Sequence, residues 1–203
     1  MKGGLVIVAV IAVLVLVVGG WVAGNYNTLV SKSTEVDKSF AEVDNLLQRR
    51  NDLIPNLVET VKGVAAQEQV VFGEIANARA AMAGAHTPEQ KFAAGSQMDG
   101  AIGRLLVVIE NYPQLKSSES FLKLQDELAG TENRLSVGRT RYNEVAREYN
   151  QLVKSFPTNL FAGMFGYKER TYYPLTSESA RDVPRVSFPA APSTARPDTA
   201  TAH

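Results

Sequence analysis

Five polar residues stand where a helical repeat calls for apolar ones, and they are the chain's clearest trace of chemistry. Arg50 and Glu68 occupy seam positions in the first helical stretch, and Gln125, Glu132 and Arg139 do so in the last. A carboxylate meeting a guanidinium inside a seam forms a paired layer, which adds little net stability but penalises wrong register. Taken singly, each such residue reads as an edge position, its stem covering the core and its head in water. Taken together, Glu132 and Arg139, opposite in sign along one seam, point to at least one paired layer. If Glu132 is buried there, Glu132→Ala should cost more stability than Glu148→Ala.

A second group is aromatic. Phe156, Phe161, Phe165, Tyr167, Tyr172 and Tyr173 crowd into a short stretch with Gly163 and Gly166. Such a segment packs on the end of a bundle, or it rests on a membrane or another protein with Lys168 and Arg170 near lipid phosphates. Tyr172-Tyr173 followed by Pro174 reads as an extended element.

Catalysis finds little support. His86 sits in a turn and His203 near the end of the sequence, and neither has a partner at ligand spacing, so no metal site is expected. Cys is absent, which removes disulfides, thiol chemistry and Cys-ligated metal. There is no Gly-x-Ser-x-Gly elbow, P-loop or dinucleotide fingerprint. No catalytic residue and no cofactor is therefore named. Arg50, Glu68, Glu132, Arg139, Phe161 and Phe165 are the candidates for interaction or for setting register.

The elements that position these residues read as helices throughout residues 25–157. Val36, Phe40, Val43, Leu47, Ile54, Leu57, Val61 and Val64 recur in 4-3 steps, the spacing of helices packed at shallow angles. The phase continues across Pro55 and slips by one residue near Phe72. The expectation is one kinked helix ending at Gly84. Thr87, Pro88 and Gln90 make a capping box for a second helix, stopped by Tyr112-Pro113. Ser117 or Ser118 caps a third, whose seam runs from Phe121 to Phe156. Short connections make neighbouring helices antiparallel.

Ahead of them, Gly3 to Gly24 carries no charge, and at about 1.5 Å per residue it spans roughly 33 Å, enough to cross a bilayer. A cleaved secretory signal is the rival reading, with Lys2 as its basic region and Val22-Ala23-Gly24 as its small residues. The apolar run is longer than a signal's core of about 7–15 residues, so a retained anchor is expected. Orientation is nearly balanced, with Lys2 on one side and Lys32 and Lys38 on the other, leaning toward a bundle outside the cytoplasm. The 21 acidic and 21 basic residues cancel, which argues against nucleic acid as a partner. The expected plan is all-α: an anchor over 1–24, an elongated antiparallel bundle of about three long helices over 25–157, an aromatic-rich segment over 158–188 and a disordered tail over 189–203.

Several blocks match one family in order and spacing. They are Tyr26-Asn27-Thr28-Leu29-Val30, the run Arg49 to Val58, Glu110-Asn111-Tyr112-Pro113-Gln114-Leu115-Lys116, Thr131 to Leu135, Arg141-Tyr142-Asn143 and Phe156-Pro157-Thr158-Asn159. In these the chain resembles the LemA family over about residues 20–175. The resemblance implies a single-pass protein of the bacterial inner membrane with a helical bundle. It also implies an N-terminus outside, against the lean above, and it brings no established biochemical activity. The expected function is a membrane-anchored helical scaffold or adaptor, partnered by the bilayer and an unidentified envelope protein, with a homo-oligomer also open. The alternatives are a membrane-bound hydrolase with a carboxylate site on the bundle, and remodelling of a membrane surface through residues 156–173.

Overall fold

The computed structural model describes residues 2–174, with side chains from Gly3 onward. The expected tail over 189–203, and the part of the aromatic segment beyond Pro174, lie outside the described residues. Six helices follow in order: α1 (Lys2–Lys62), α2 (Gln69–Ala83), α3 (Pro88–Ile109), α4 (Pro113–Lys116), α5 (Glu119–Lys154) and α6 (Thr158–Met164). No strand occurs among the described residues.

α1 has 61 residues, about 90 Å of helix, and passes without a break from the apolar run into the bundle. None of its most apolar window is buried, so this end stands clear of the bundle with greasy side chains all round. From Leu29 onward one stripe turns inward, and Leu29, Val36, Val43, Leu47, Ile54, Leu57 and Val61 are all buried. α3 is also long and apolar, but nearly half of its most apolar window is buried, as befits a core helix.

The single helix expected over residues 25–84 is two helices. α1 stops at Lys62, the chain turns through Gly63 to Glu68, and α2 begins at Gln69. Gly is the weakest ordinary helix former, and Val64 and Ala65 both donate back to the Val61 carbonyl, closing the last turn. The phase slip at Phe72 is the sequence mark of this turn. Pro55, by contrast, lies inside α1, which continues past it with no fresh N-cap at Asp52.

The other boundaries follow local chemistry. The Thr87 hydroxyl accepts from the Gln90 amide at 3.3 Å, and the Gln90 side chain accepts from the Thr87 amide at 3.1 Å, the expected capping box. Ser118 caps α5 by accepting from the Phe121 amide at 3.2 Å.

The shared cores show how the helices run. Leu29 to Leu47 of α1 pack with the end of α2, the start of α3 and the second half of α5. Ile54 to Ala65 pack with the start of α2, the rest of α3 and the first half of α5. α1 therefore leads away from the anchor, α2 returns, α3 leads away again and α5 returns. α6 then lies at the anchor end, with Phe161 edge-on to Trp21 at 5.8 Å and Phe165 edge-on to Tyr26 at 5.0 Å.

Candidate functional site

The two apolar clusters do not merge, because a layer of charge separates them. Along α1 the inward stripe reads Leu47, Arg50, Ile54, and along α5 it reads Leu128, Thr131, Leu135, Arg139, with Glu132 beside Thr131. α3 brings Asp99 to the same level, one residue past the buried Met98. Asp99 joins the two arginines, accepting from Arg50 Nη1 through Oδ1 at 2.6 Å and from Arg139 Nη2 through Oδ2 at 2.9 Å. Glu132 closes the ring, hydrogen-bonded to Arg50 and 3.6 Å from Arg139 Nη1. The side chains of Arg50, Asp99 and Arg139 are 8, 13 and 10% exposed, whereas that of Glu132 is 40% exposed.

Two positive and two negative charges cancel inside a poorly hydrated layer, which makes burial tolerable. Three helices contribute, so sliding any one of them by a turn would strand a charge among apolar side chains. Arg50, Glu132 and Arg139 thus meet in one layer. Glu132 is its wet edge rather than a buried member, and the more buried carboxylate, Asp99, which hydrogen-bonds both arginines, is absent from the polar seam positions that the sequence marks. The sign of Asp99 was visible, but it stands beside the apolar stripe of α3, next to Met98, and so interrupts nothing in the sequence.

Glu68 and Gln125 lie elsewhere. Glu68 sits in the α1–α2 turn, where it accepts from the Tyr112 hydroxyl at 3.1 Å, while Gln67 donates to that hydroxyl at 2.8 Å. The pair fastens that turn to the α3–α4 turn at the tip far from the anchor. Gln125 is exposed.

After α6 the chain climbs back along α5 as an irregular strap, residues 167–174. Asn150 holds Arg170 at both backbone groups: Oδ1 accepts from its amide at 2.7 Å and Nδ2 donates to its carbonyl at 2.8 Å. Asn143, seven residues earlier, holds Tyr173 in the same way at 2.7 and 3.0 Å. Between them the Tyr142 hydroxyl donates to the Thr171 carbonyl at 2.7 Å. A strap without a sheet must find partners for its buried backbone, and these side chains supply them. The Tyr-Asn pair repeated at 142–143 and 149–150 was the available sequence signal.

The strap lays the buried Tyr173 ring against the charge layer, 4.6 Å from the Arg139 guanidinium. Room for it depends on Gly95. A Cβ there would lie 2.7 Å from the Tyr173 hydroxyl and 2.9 Å from a Leu47 methyl. Burial raises the Tyr173 pKa, which keeps the phenol protonated beside the cation. Burial opposes the Arg139 charge, but the carboxylates of Asp99 and Glu132 favour it, and the net shift is upward.

Phe161 and Phe165 sit where α6 meets the end of the apolar run, and Phe165 is half exposed. No group of three or more His, Asp or Glu able to hold a metal occurs among the described residues. An open groove of about 360 Å³ lies between Glu132, Arg139, Asn143 and Tyr173. Its charged side chains, Glu132 and Arg139, are engaged with one another, and Ser136 and Thr140 also line it.

Comparison with known proteins agrees with this architecture. The magnetosome proteins MamQ 1 and MamQ 2 of Paramagnetospirillum magneticum are each 28% identical to the chain over 188 positions, covering 80% of it and 68% of their own length. Protein LemA of Metamycoplasma hominis is 23% identical over 140 positions, covering 68% of the chain and 64% of its own length. The LemA family model matches residues 39–188, which take in the charge layer, the Tyr-Asn repeat and the strap. With its apolar N-terminal helix and its all-helical bundle, the chain belongs to the LemA family.

Proposed function

We propose that the protein is a scaffold or adaptor of the bacterial inner membrane that works by protein–protein contact and has no catalytic step. The observation that carries this reading is the unbroken α1, which makes the membrane segment and the bundle's main core helix one continuous helix. A bundle mounted in this way holds a fixed surface at a set distance from the bilayer, which is what an assembly platform needs. The converging carboxylates, Asp99 and Glu132, serve the arginines and are not free for acid–base work. Assembly at a membrane is in keeping with relatives named as magnetosome proteins.

Crosslinking in intact membranes, followed by identification of what co-purifies with the full chain, tests this reading. A defined set of envelope proteins, absent when the bundle is unfolded by a core mutation, is expected. Turnover of a substrate by the purified chain, with no protein recovered, would overturn it.

A further inference from the structure

α6 leaves large apolar side chains in the open on the side turned away from the bundle. Its inner face is set by Thr158 and Ala162, both buried against the bundle, with Phe161 reaching Trp21. Its outer face carries Leu160 and Met164, one helical turn apart, which are 60 and 75% exposed. Phe156 in the turn before it is 79% exposed and Phe165 after it is 50% exposed. Four large apolar side chains therefore face outward from a seven-residue helix and its flanks. Scattered exposed apolar residues need no explanation, but a contiguous group does.

What covers this group is fixed by where α6 is docked. Trp21 and Tyr26 flank Gly24, the end of the uncharged run, where amphipathic aromatic rings mark the boundary between lipid and water. Phe161 and Phe165 touch those same two rings. α6 is thus held at the depth of the membrane interface by the chain's own anchor. Continuity with the apolar surface of α1 makes lipid the occupant. We propose that α6 is a foot resting in the bilayer that α1 crosses, with Phe156, Leu160, Met164 and Phe165 among the upper acyl chains. The bundle then meets the membrane at two places, and two attachments fix its tilt where a single helix would let it swivel. The strap begins directly after this foot and ends on the charge layer, so the same segment links the bilayer surface to the middle of the bundle.

The chain has no Cys, so single probes can be placed without background. Leu160→Cys and Met164→Cys in the full chain, labelled with a polarity-sensitive nitrobenzoxadiazole and reconstituted in phosphatidylcholine–phosphatidylglycerol vesicles, read contact with lipid. Val137→Cys on α5, an exposed position (70%), serves as the aqueous control. Lipids brominated high on the acyl chain should quench probes at 160 and 164 and leave the probe at 137 unchanged. Modification of the unlabelled thiols by a water-soluble maleimide should be slowed about tenfold or more in vesicles at 160 and 164 only, the burial expected for one large apolar side chain. Trp21, the sole tryptophan, reports insertion of the anchor in the same sample. Quenching of Trp21 without quenching at 160 and 164 would overturn the proposal while leaving the anchor intact. Protection of 160 and 164 in native membranes but not in lipid vesicles would assign the face to a protein, and would also overturn it.

Discussion

Removing Asp99 is the sharpest perturbation of the bundle. Its carboxylate is 13% exposed and bridges two guanidiniums that are 8 and 10% exposed. Asp99→Ala leaves two buried cations sharing Glu132, a partner on the wet side of the layer. Breaking a buried pair from one side costs about 3–5 kcal/mol, and because two pairs break here the upper part of that range is expected. Glu132→Ala should cost only about 1–2 kcal/mol, since water reaches the 40% exposed site and Asp99 remains. Replacing the trio together, Arg50→Met, Asp99→Leu and Arg139→Met, should keep or raise stability, because no charge is then left stranded. The assay is urea unfolding of the full chain in detergent micelles, followed by far-ultraviolet circular dichroism. An Asp99→Ala cost under about 1 kcal/mol, or a greater cost for Glu132→Ala, would mean that the layer is open to water and that Asp99 is not its hub.

Gly95→Ala puts a methyl group into the space of Tyr173 and Leu47. The Tyr173 ring is the easier of the two to move, so the strap should become sensitive to limited proteolysis while the unfolding free energy of the bundle changes by no more than about 1 kcal/mol. Burial pushes the Tyr142 phenol up to about 12, against about 10 when unfolded. Above pH 10 the unfolded chain loses this proton first, so stability should fall between pH 10 and about 12, and Tyr142→Phe should lack that part of the slope. Pro55→Ala restores an amide inside α1 and should raise the urea midpoint; a lowered midpoint would mean that the Pro55 ring does more by packing than its missing hydrogen bond costs.

The sequence was legible where a local rule acts alone. The capping box at Thr87, the Ser118 cap and the uncharged run each depend on a few adjacent residues and stand where expected. The α1–α2 turn was harder, because apolar residues on both sides of Gly63 keep a helical rhythm and only the slip at Phe72 records the break. The charge layer was half legible. Arg50, Glu132 and Arg139 interrupt strict seams and so announce themselves, whereas Asp99 lies beside the apolar stripe of its helix and interrupts nothing. The strap was least legible, since its hold comes from amide side chains on α5, and an exposed Asn and one clamping a backbone look alike until the chain returns to it.

As a scaffold, the folded bundle held over the membrane by α1 would present a surface to other proteins. The most direct measurement places a photo-crosslinking amino acid at Val107 on α3 or Val137 on α5, both strongly exposed, in cells carrying the full chain. Discrete protein adducts from at least one position are predicted, and they should vanish in the Asp99→Ala chain above its melting temperature while membrane attachment persists. Adducts to lipid alone, or protein adducts unchanged once the bundle has melted, would contradict the claim.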